Sequence, residues 1–194
     1  MIAALKTVAA VVAAAGLLYA MQRTTPGYSD ITSPIVASGR QGEAVQASAF
    51  SFGVNTIRLA RELATESFGR TKIFSTSGVW VVVVGEAEAT YESLPLTVAE
   101  WLSRDGIRYA LTDRVPATAG MMPVDRFEPG LPRPALIAFE VPEDAIEGGQ
   151  VVVARSKIAP LDDEIRVSAE AIGAVEPRVT IRRNDGGPPW TLLP

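Results

Sequence analysis

Val79-Trp80-Val81-Val82-Val83-Val84 is β-branched almost throughout. Branched side chains are stiff at χ1 and fit a pleated surface, and a run without polar alternation implies a strand covered on both faces. Such a strand belongs in the middle of a sheet, at the heart of an all-β domain. Before it, Phe50-Ser51-Phe52-Gly53-Val54 alternates and opens a long strand or pair continuing through Ile57 and Leu59 to Leu63. A short helix over residues 58–66 is the alternative there. After it, residues 96–102 and 107–111 flank Ser103-Arg104-Asp105-Gly106, where Asp-Gly supplies the positive φ of a tight hairpin turn. Glu128-Pro129-Gly130 marks a further turn ahead of a strand over 135–141, which Pro142 ends. Gly148-Gly149 leads into a strand over 150–155, and residues 165–169 and 178–182 alternate as strands with one wet face do. Short strands with turn residues every ten or so positions are the pattern of a β-sandwich.

The other apolar run is N-terminal. Residues 2–21 read IAALKTVAAVVAAAGLLYAM, and a helix of that length rises about 30 Å, the thickness of a hydrocarbon core. Its single charge, Lys6, has a stem long enough to reach the interface, and Tyr19 suits the opposite boundary. A transmembrane anchor is expected over residues 1–22. The rival is a cleaved signal peptide, with Lys6 as its n-region and residues 7–20 as its h-region. A cut after Ala20 would put Leu18 where a small residue is needed, and a cut after Ala15 would leave a very short apolar core, so the retained anchor is favoured. Small residues recur four apart at Ala9/Ala13, Ala10/Ala14 and Gly16/Ala20, a spacing that lets another transmembrane helix approach closely. An Ala-rich composition alone also produces such pairs. Lys6 and the amino terminus against Arg23 and Arg40 favour the N-terminus inside, which places the soluble domain in the periplasm or outside the cell.

Residues 23–41, rich in Pro, Gly, Ser and Thr, read as a linker, residues 42–183 as the sandwich, and residues 184–194 as a Pro-rich C-terminal tail. Asn184-Asp185-Gly186-Gly187-Pro188-Pro189-Trp190 reads as unable to continue a strand. Trp190, with Leu192 and Leu193, either packs back on the domain or docks on a partner. The candidate partner contacts are therefore Ala9, Ala13, Gly16, Ala20, Trp190, Leu192 and Leu193. Met121-Met122-Pro123, in a loop, is a weaker candidate. Trp80 is expected in the core and Trp101, ahead of a hairpin turn, half-buried.

The chain has 194 residues, enough for one anchor and one ordinary domain, and it contains neither cysteine nor histidine. That excludes a Cys/His zinc site, a Cys or His nucleophile pair, a Ser-His-Asp triad and a His-ligated haem. Lys6 and Arg23 aside, 22 acidic residues face two fewer than the 18 basic ones, so the domain carries about −6. No basic stripe with interleaved aromatics runs along it, and nucleic acid is not an expected partner. Carboxylate groups remain as chemical tools: Glu86/Glu88, Glu143/Asp144 and Asp162/Asp163/Glu164. Glu86 and Glu88 have strand spacing and share a face, but solvated strand-face charges are the commoner reason for such pairs. Asp162 to Glu164 lacks the alternating pattern of a calcium loop and reads as a wet turn before a strand. No catalytic, cofactor or metal residue is expected.

The layout over residues 42–155 resembles a DUF4352-like, immunoglobulin-like family of small exported bacterial proteins that includes secreted mycobacterial antigens. The resemblance rests on the strand after Ser77-Gly78, the strand pair around Asp105-Gly106-Ile107-Arg108-Tyr109, and Phe127-Glu128-Pro129-Gly130 leading to Ala138-Phe139-Glu140-Val141-Pro142. Gly85-Glu86-Ala87-Glu88-Ala89 departs from the family's Asn-Gly after the central strand. The resemblance implies an immunoglobulin-like β-sandwich exported across a membrane, and it brings no catalytic residues with it. The expected fold is thus all-β, an immunoglobulin-like sandwich preceded by one transmembrane helix. The expected function is that of a non-catalytic, membrane-anchored accessory or structural subunit of a larger membrane complex, without cofactor, partnered by the membrane and by other transmembrane subunits. A free-standing extracytoplasmic module binding a ligand or envelope component is the alternative.

Overall fold

The computed structural model describes residues 2–27, 31–67, 69–115, 121–123, 126–157, 160–184 and 189–194. It forms two compact units, Met1–Ser33 and Pro34–Pro194. The first is built on α1 (Ile2–Thr24), which is long and apolar enough to cross a membrane. Residues 4–24 of α1 are exposed throughout. Its end is closed by its own side chains: Arg23 Nη2 donates to the Tyr19 hydroxyl at 2.8 Å, and the Thr24 and Thr25 hydroxyls donate to the Met21 carbonyl. Arg23 in the last turn also faces the negative end of the helix dipole.

The second unit is a β-sandwich. Its strands are β1 (Ile35–Arg40), β2 (Ala44–Gln46), β3 (Phe50–Ser67), β4 (Arg70–Ala89), β5 (Leu94–Pro95), β6 (Val98–Leu102), β7 (Arg108–Ala110), β8 (Arg126–Phe127), β9 (Arg133–Val141), β10 (Gln150–Ala154), β11 (Asp163–Ser168), β12 (Ile172–Arg183) and β13 (Trp190–Leu193). One sheet has the order β1-β11-β10-β6-β7. The other has the order β13-β12-β3-β4-β9, with β2 also on β3, while β5 and β8 form a small ribbon. The pairs β1·β11 and β3·β12 are parallel; the others named here are antiparallel.

Residues 79–84 lie in β4, between β3 and β9, as expected of a doubly covered strand. Val79, Val81 and Val83 pack into the core between the sheets with Phe50, Phe52, Ile57, Trp101, Ile137 and Phe139. Trp80 and Val82 pack into a second cluster with Leu63, Phe74, Leu136, Val179, Ile181 and Trp190. One strand serving two cores has no solvent face, which is why it carries no polar alternation. Each fully buried side chain of this kind is worth roughly 1.5–3 kcal/mol.

Several expectations about element boundaries are corrected. The long strand expected through Leu63 is β3, which runs on to Ser67 because β4 pairs along one edge and β12 along the other, and the helical alternative over residues 58–66 falls. Register shifts at Val54/Thr56 and Ala60/Glu62 bend this long hairpin. Residues 35–40, assigned to the linker, form β1, drawn into the sheet by parallel pairing with β11. The tail does resume as a strand, since Trp190–Leu193 pairs with β12. The Asp105-Gly106 hairpin is as expected, with Gly106 at φ 83° between β6 and β7.

Candidate functional site

At one end of the sandwich the β3–β12 pair runs on past the ends of β10 and β11, leaving a cleft of about 410 Å³. Its floor is apolar, from Leu59 on β3, Ile172 and Val175 on β12, and Ile146 after the short 3-10 turn Glu143–Ala145. Glu143, Glu147 and Glu170 stand at its rim. Glu143 accepts a hydrogen bond from Arg61 Nη2 at 2.9 Å, and Glu170 lies 3.6 Å from Arg40 Nε. Two of the three rim carboxylates, Glu143 and Glu170, thus have an arginine beside them, above an apolar floor.

A second, smaller cleft of about 280 Å³ holds Glu86 and Glu88 of β4 with Glu43, Ser51 and Asn55. Glu86 is exposed and Glu88 half-buried, as strand-face charges are. Among the described residues, no group of three or more Asp and Glu is placed to hold a metal ion.

The third carboxylate group departs from expectation. Asp163 and Glu164 are buried, 6% and 5% exposed, and belong to β11, not to a wet turn. Asp163 Oδ2 accepts from the Ala49 backbone N–H at 2.6 Å, tying the two sheets together. Glu164 takes both guanidinium nitrogens of Arg108, at 3.0 and 3.1 Å, and Arg166 Nε at 2.7 Å. Arg108 also donates to Glu100 on β6 at 2.8 Å. Burial pushes the Glu164 carboxyl up, but the hydrogen bonds from Arg108 and Arg166 outweigh it and hold the group below the usual carboxylate range. Glu176, hydrogen-bonded by Arg58, is held down for the same reason.

These two groups set an expected pH dependence. Both are deprotonated in the folded protein at pH values where the unfolded chain, with carboxyls near 4.3, begins to take up protons. Their stabilisation is therefore complete above that range and is lost as pH falls through it toward the folded values. Thermal melts from pH 7 to 3 are expected to fall below about pH 4.5, and Arg108→Met is expected to flatten part of that slope. An identical slope in Arg108→Met would remove Glu164 as its source.

The partner-contact candidates fall into two groups. Ala9, Ala13, Gly16 and Ala20 lie on the exposed α1, and a Cβ added at Gly16 would meet nothing within 4 Å. Trp190 takes the first of its two alternatives: it packs back on the domain, 9% exposed, with Leu192 against the same cluster and Leu193 half-buried. Its Nε1 is buried and has no hydrogen-bond partner among the described residues. Met121 and Met122 are likewise core residues, 4% and 3% exposed, not loop contacts. Trp101 is fully buried instead of half-buried, because the Ala145 carbonyl accepts from its Nε1 at 2.9 Å and so satisfies the indole inside. The cleft was missed because its floor comes from three separated segments. The edge strand β1 had a signal in Ile35-Val36 after Pro34 that the linker composition masked.

No protein family matches the chain, and no curated protein matches it. Two solved structures are similar. An uncharacterized β-sandwich protein from Clostridium difficile 630 aligns over 75% of this chain and 100% of its own, at 12% identity and a TM-score of 0.46. The yjhA protein from Bacillus subtilis aligns over 66% of this chain and 98% of its own, at 9% identity and a TM-score of 0.47. Neither likeness assigns an activity or a partner. What stands of the family resemblance is the β-sandwich itself.

Proposed function

We propose that this chain is a non-catalytic, single-pass membrane-anchored accessory or structural subunit. Its helix packs in the bilayer against other transmembrane helices, and its sandwich docks on the extracytoplasmic surface of the same assembly. The observation that carries the reading is α1 itself, an apolar helix long enough to cross a membrane, with residues 4–24 exposed and small residues Ala9, Ala13, Gly16 and Ala20 that admit a close neighbour. The engagement of Glu143, Glu164 and Glu176 with arginines supports a non-catalytic role. An exported sandwich is also what the immunoglobulin-like family resemblance implies.

Extraction in a mild detergent followed by size analysis tests this. The chain is expected in a particle well above its own mass together with at least one other membrane protein, and a lone small particle would contradict it. Gly16→Leu is expected to reduce co-extraction about fivefold or more, because a bulky side chain parts helices that approach through small residues. Unchanged co-extraction would remove the helix-packing part. The cleft of about 410 Å³ favours a second reading, an extracytoplasmic module that binds a ligand or envelope component. A lone particle that retains a bound envelope molecule would support that reading.

A further inference from the structure

We propose that the end of the sandwich at which β1 begins rests on a lipid surface, with Ile35, Tyr91, Leu131 and Leu161 in the interfacial layer of the bilayer. Exposed apolar side chains scattered singly are ordinary, whereas a gathering of them marks a contact. Ile35, Val36, Tyr91, Leu131 and Leu161 are all exposed, and all lie at this end. Ile73 on β4 and Ile107 ahead of β7, exposed as well, lie toward the opposite end.

Hydrogen bonds trace this gathering across both sheets. Ile35 N–H donates to the Asp162 carbonyl at 2.9 Å, directly after Leu161. Asp163 Oδ2 holds the Ala49 N–H, and the Ala49 carbonyl accepts from Thr90 N–H at 2.8 Å, beside Tyr91. Ala89 forms a bridge with Pro129, in the turn that Leu131 closes by donating its N–H to the Glu128 carbonyl at 3.4 Å. Tyr91 is 82% exposed, and its ring and hydroxyl suit the boundary between hydrocarbon and headgroups. Leu161 has φ 57°, a left-handed backbone that is strained for a bulky side chain and normally falls to Gly or Asn. The turn before β11 accepts that strain and still leaves Leu161 exposed, so packing within the chain does not offset it, and burial in lipid does.

The covalent tether selects lipid as the occupant. α1 ends at Thr24 and β1 begins at Ile35, so the chain between them spans at most about 40 Å when fully extended. Because β1 begins at the apolar end, an α1 that crosses a bilayer keeps these side chains within that reach of its surface. Lys157, exposed in the connection between β10 and β11 at the same end, has a side chain long enough to meet headgroup phosphates. The proposal rests on the anchor reading of α1 and needs no other subunit. The cleft lined by Ile146, Gly148 and Ala169 lies toward the opposite end and so faces away from the lipid.

The chain has no cysteine, so one engineered thiol carries a fluorophore without ambiguity. Full-length Tyr91→Cys, Leu131→Cys, Ile73→Cys and Ile107→Cys chains are labelled and placed in liposomes of phosphatidylcholine and phosphatidylglycerol that contain lipids spin-labelled at the headgroup and on the acyl chain. Quenching at Tyr91→Cys and Leu131→Cys is expected to be at least about threefold that at Ile73→Cys and Ile107→Cys. Adding Leu161→Asp, which tolerates the left-handed backbone, is expected to lower the quenching at both by about half. Labelled Leu17→Cys reports on α1 separately. Strong quenching at Leu17→Cys with equal quenching at the four sandwich positions overturns the proposal and leaves the anchor standing. Weak quenching at Leu17→Cys as well means that the anchor reading has failed, and the proposal falls with it. Equal quenching in liposomes, with cross-links from Tyr91→Cys to another protein in native membranes, assigns this end to a protein instead. If Leu161→Asp does not fold, by its melting curve, the comparison of the four positions decides.

Discussion

Trp80→Ala is expected to lower the unfolding free energy by about 3–5 kcal/mol, measured by denaturant titration of the chain in detergent. Trp80 is fully buried on β4, edge-on to Phe74 with ring centroids 6.5 Å apart, and its Nε1 donates to the Phe74 carbonyl at 3.0 Å. The Arg114 guanidinium lies over its ring at 5.6 Å. Removing the indole opens a cavity in the second core, which Trp80 shares with Leu63, Leu136 and Val179, and takes the indole donor from the Phe74 carbonyl. Against a total stability of about 5–15 kcal/mol, such a loss leaves a substantial unfolded fraction. Trp80→Phe, which keeps most of the volume and loses the donor, is expected to cost less, about 1–3 kcal/mol. Equal costs for the two variants would mean that volume plays no part at this site.

Gly149→Ala is expected to cost about 3 kcal/mol, although it adds a single methyl group. An added Cβ would sit 2.1 Å from Trp101 Cζ2 and 2.4 Å from Cε2. The indole cannot swing away, because it is fully buried, tilted against Phe139 with centroids 6.4 Å apart, and bonded through Nε1 to the Ala145 carbonyl. Gly149 leads into β10, so the strain falls on the same end of the sandwich as the cleft. Gly173→Ala is the matched control: a Cβ there meets nothing within 4 Å, and its effect is expected within about 0.5 kcal/mol. Melting curves of the two variants distinguish a local clash from a general intolerance of alanine for glycine.

The central architecture was legible because one physical rule governed it. Residues 79–84 are apolar without alternation, and they lie in a strand with a core on each side. The Asp105-Gly106 turn was legible for a similar reason, since few residues accept its backbone angles. What escaped the reading depends on distant partners. Nothing local in residues 35–40 says that β11 will pair with them in parallel, and the tail strand exists through its register with β12. Asp163 and Glu164 read as solvated because their charge is local, whereas the Ala49 N–H and Arg108 that help satisfy them come from distant parts of the chain. The cleft floor is of the same kind, assembled from β3, β12 and the turn before β10. The small-residue helix positions were visible at once, because helical spacing alone places them.

Alkaline carbonate washing of membranes that carry the full chain, with intact-mass measurement of what stays in the pellet, tests most directly whether α1 is a retained anchor for the sandwich. The expected result is full-length chain in the washed pellet, with residues 2–24 present. Release into the supernatant, or a retained species that begins near residue 16 or 21, would contradict it.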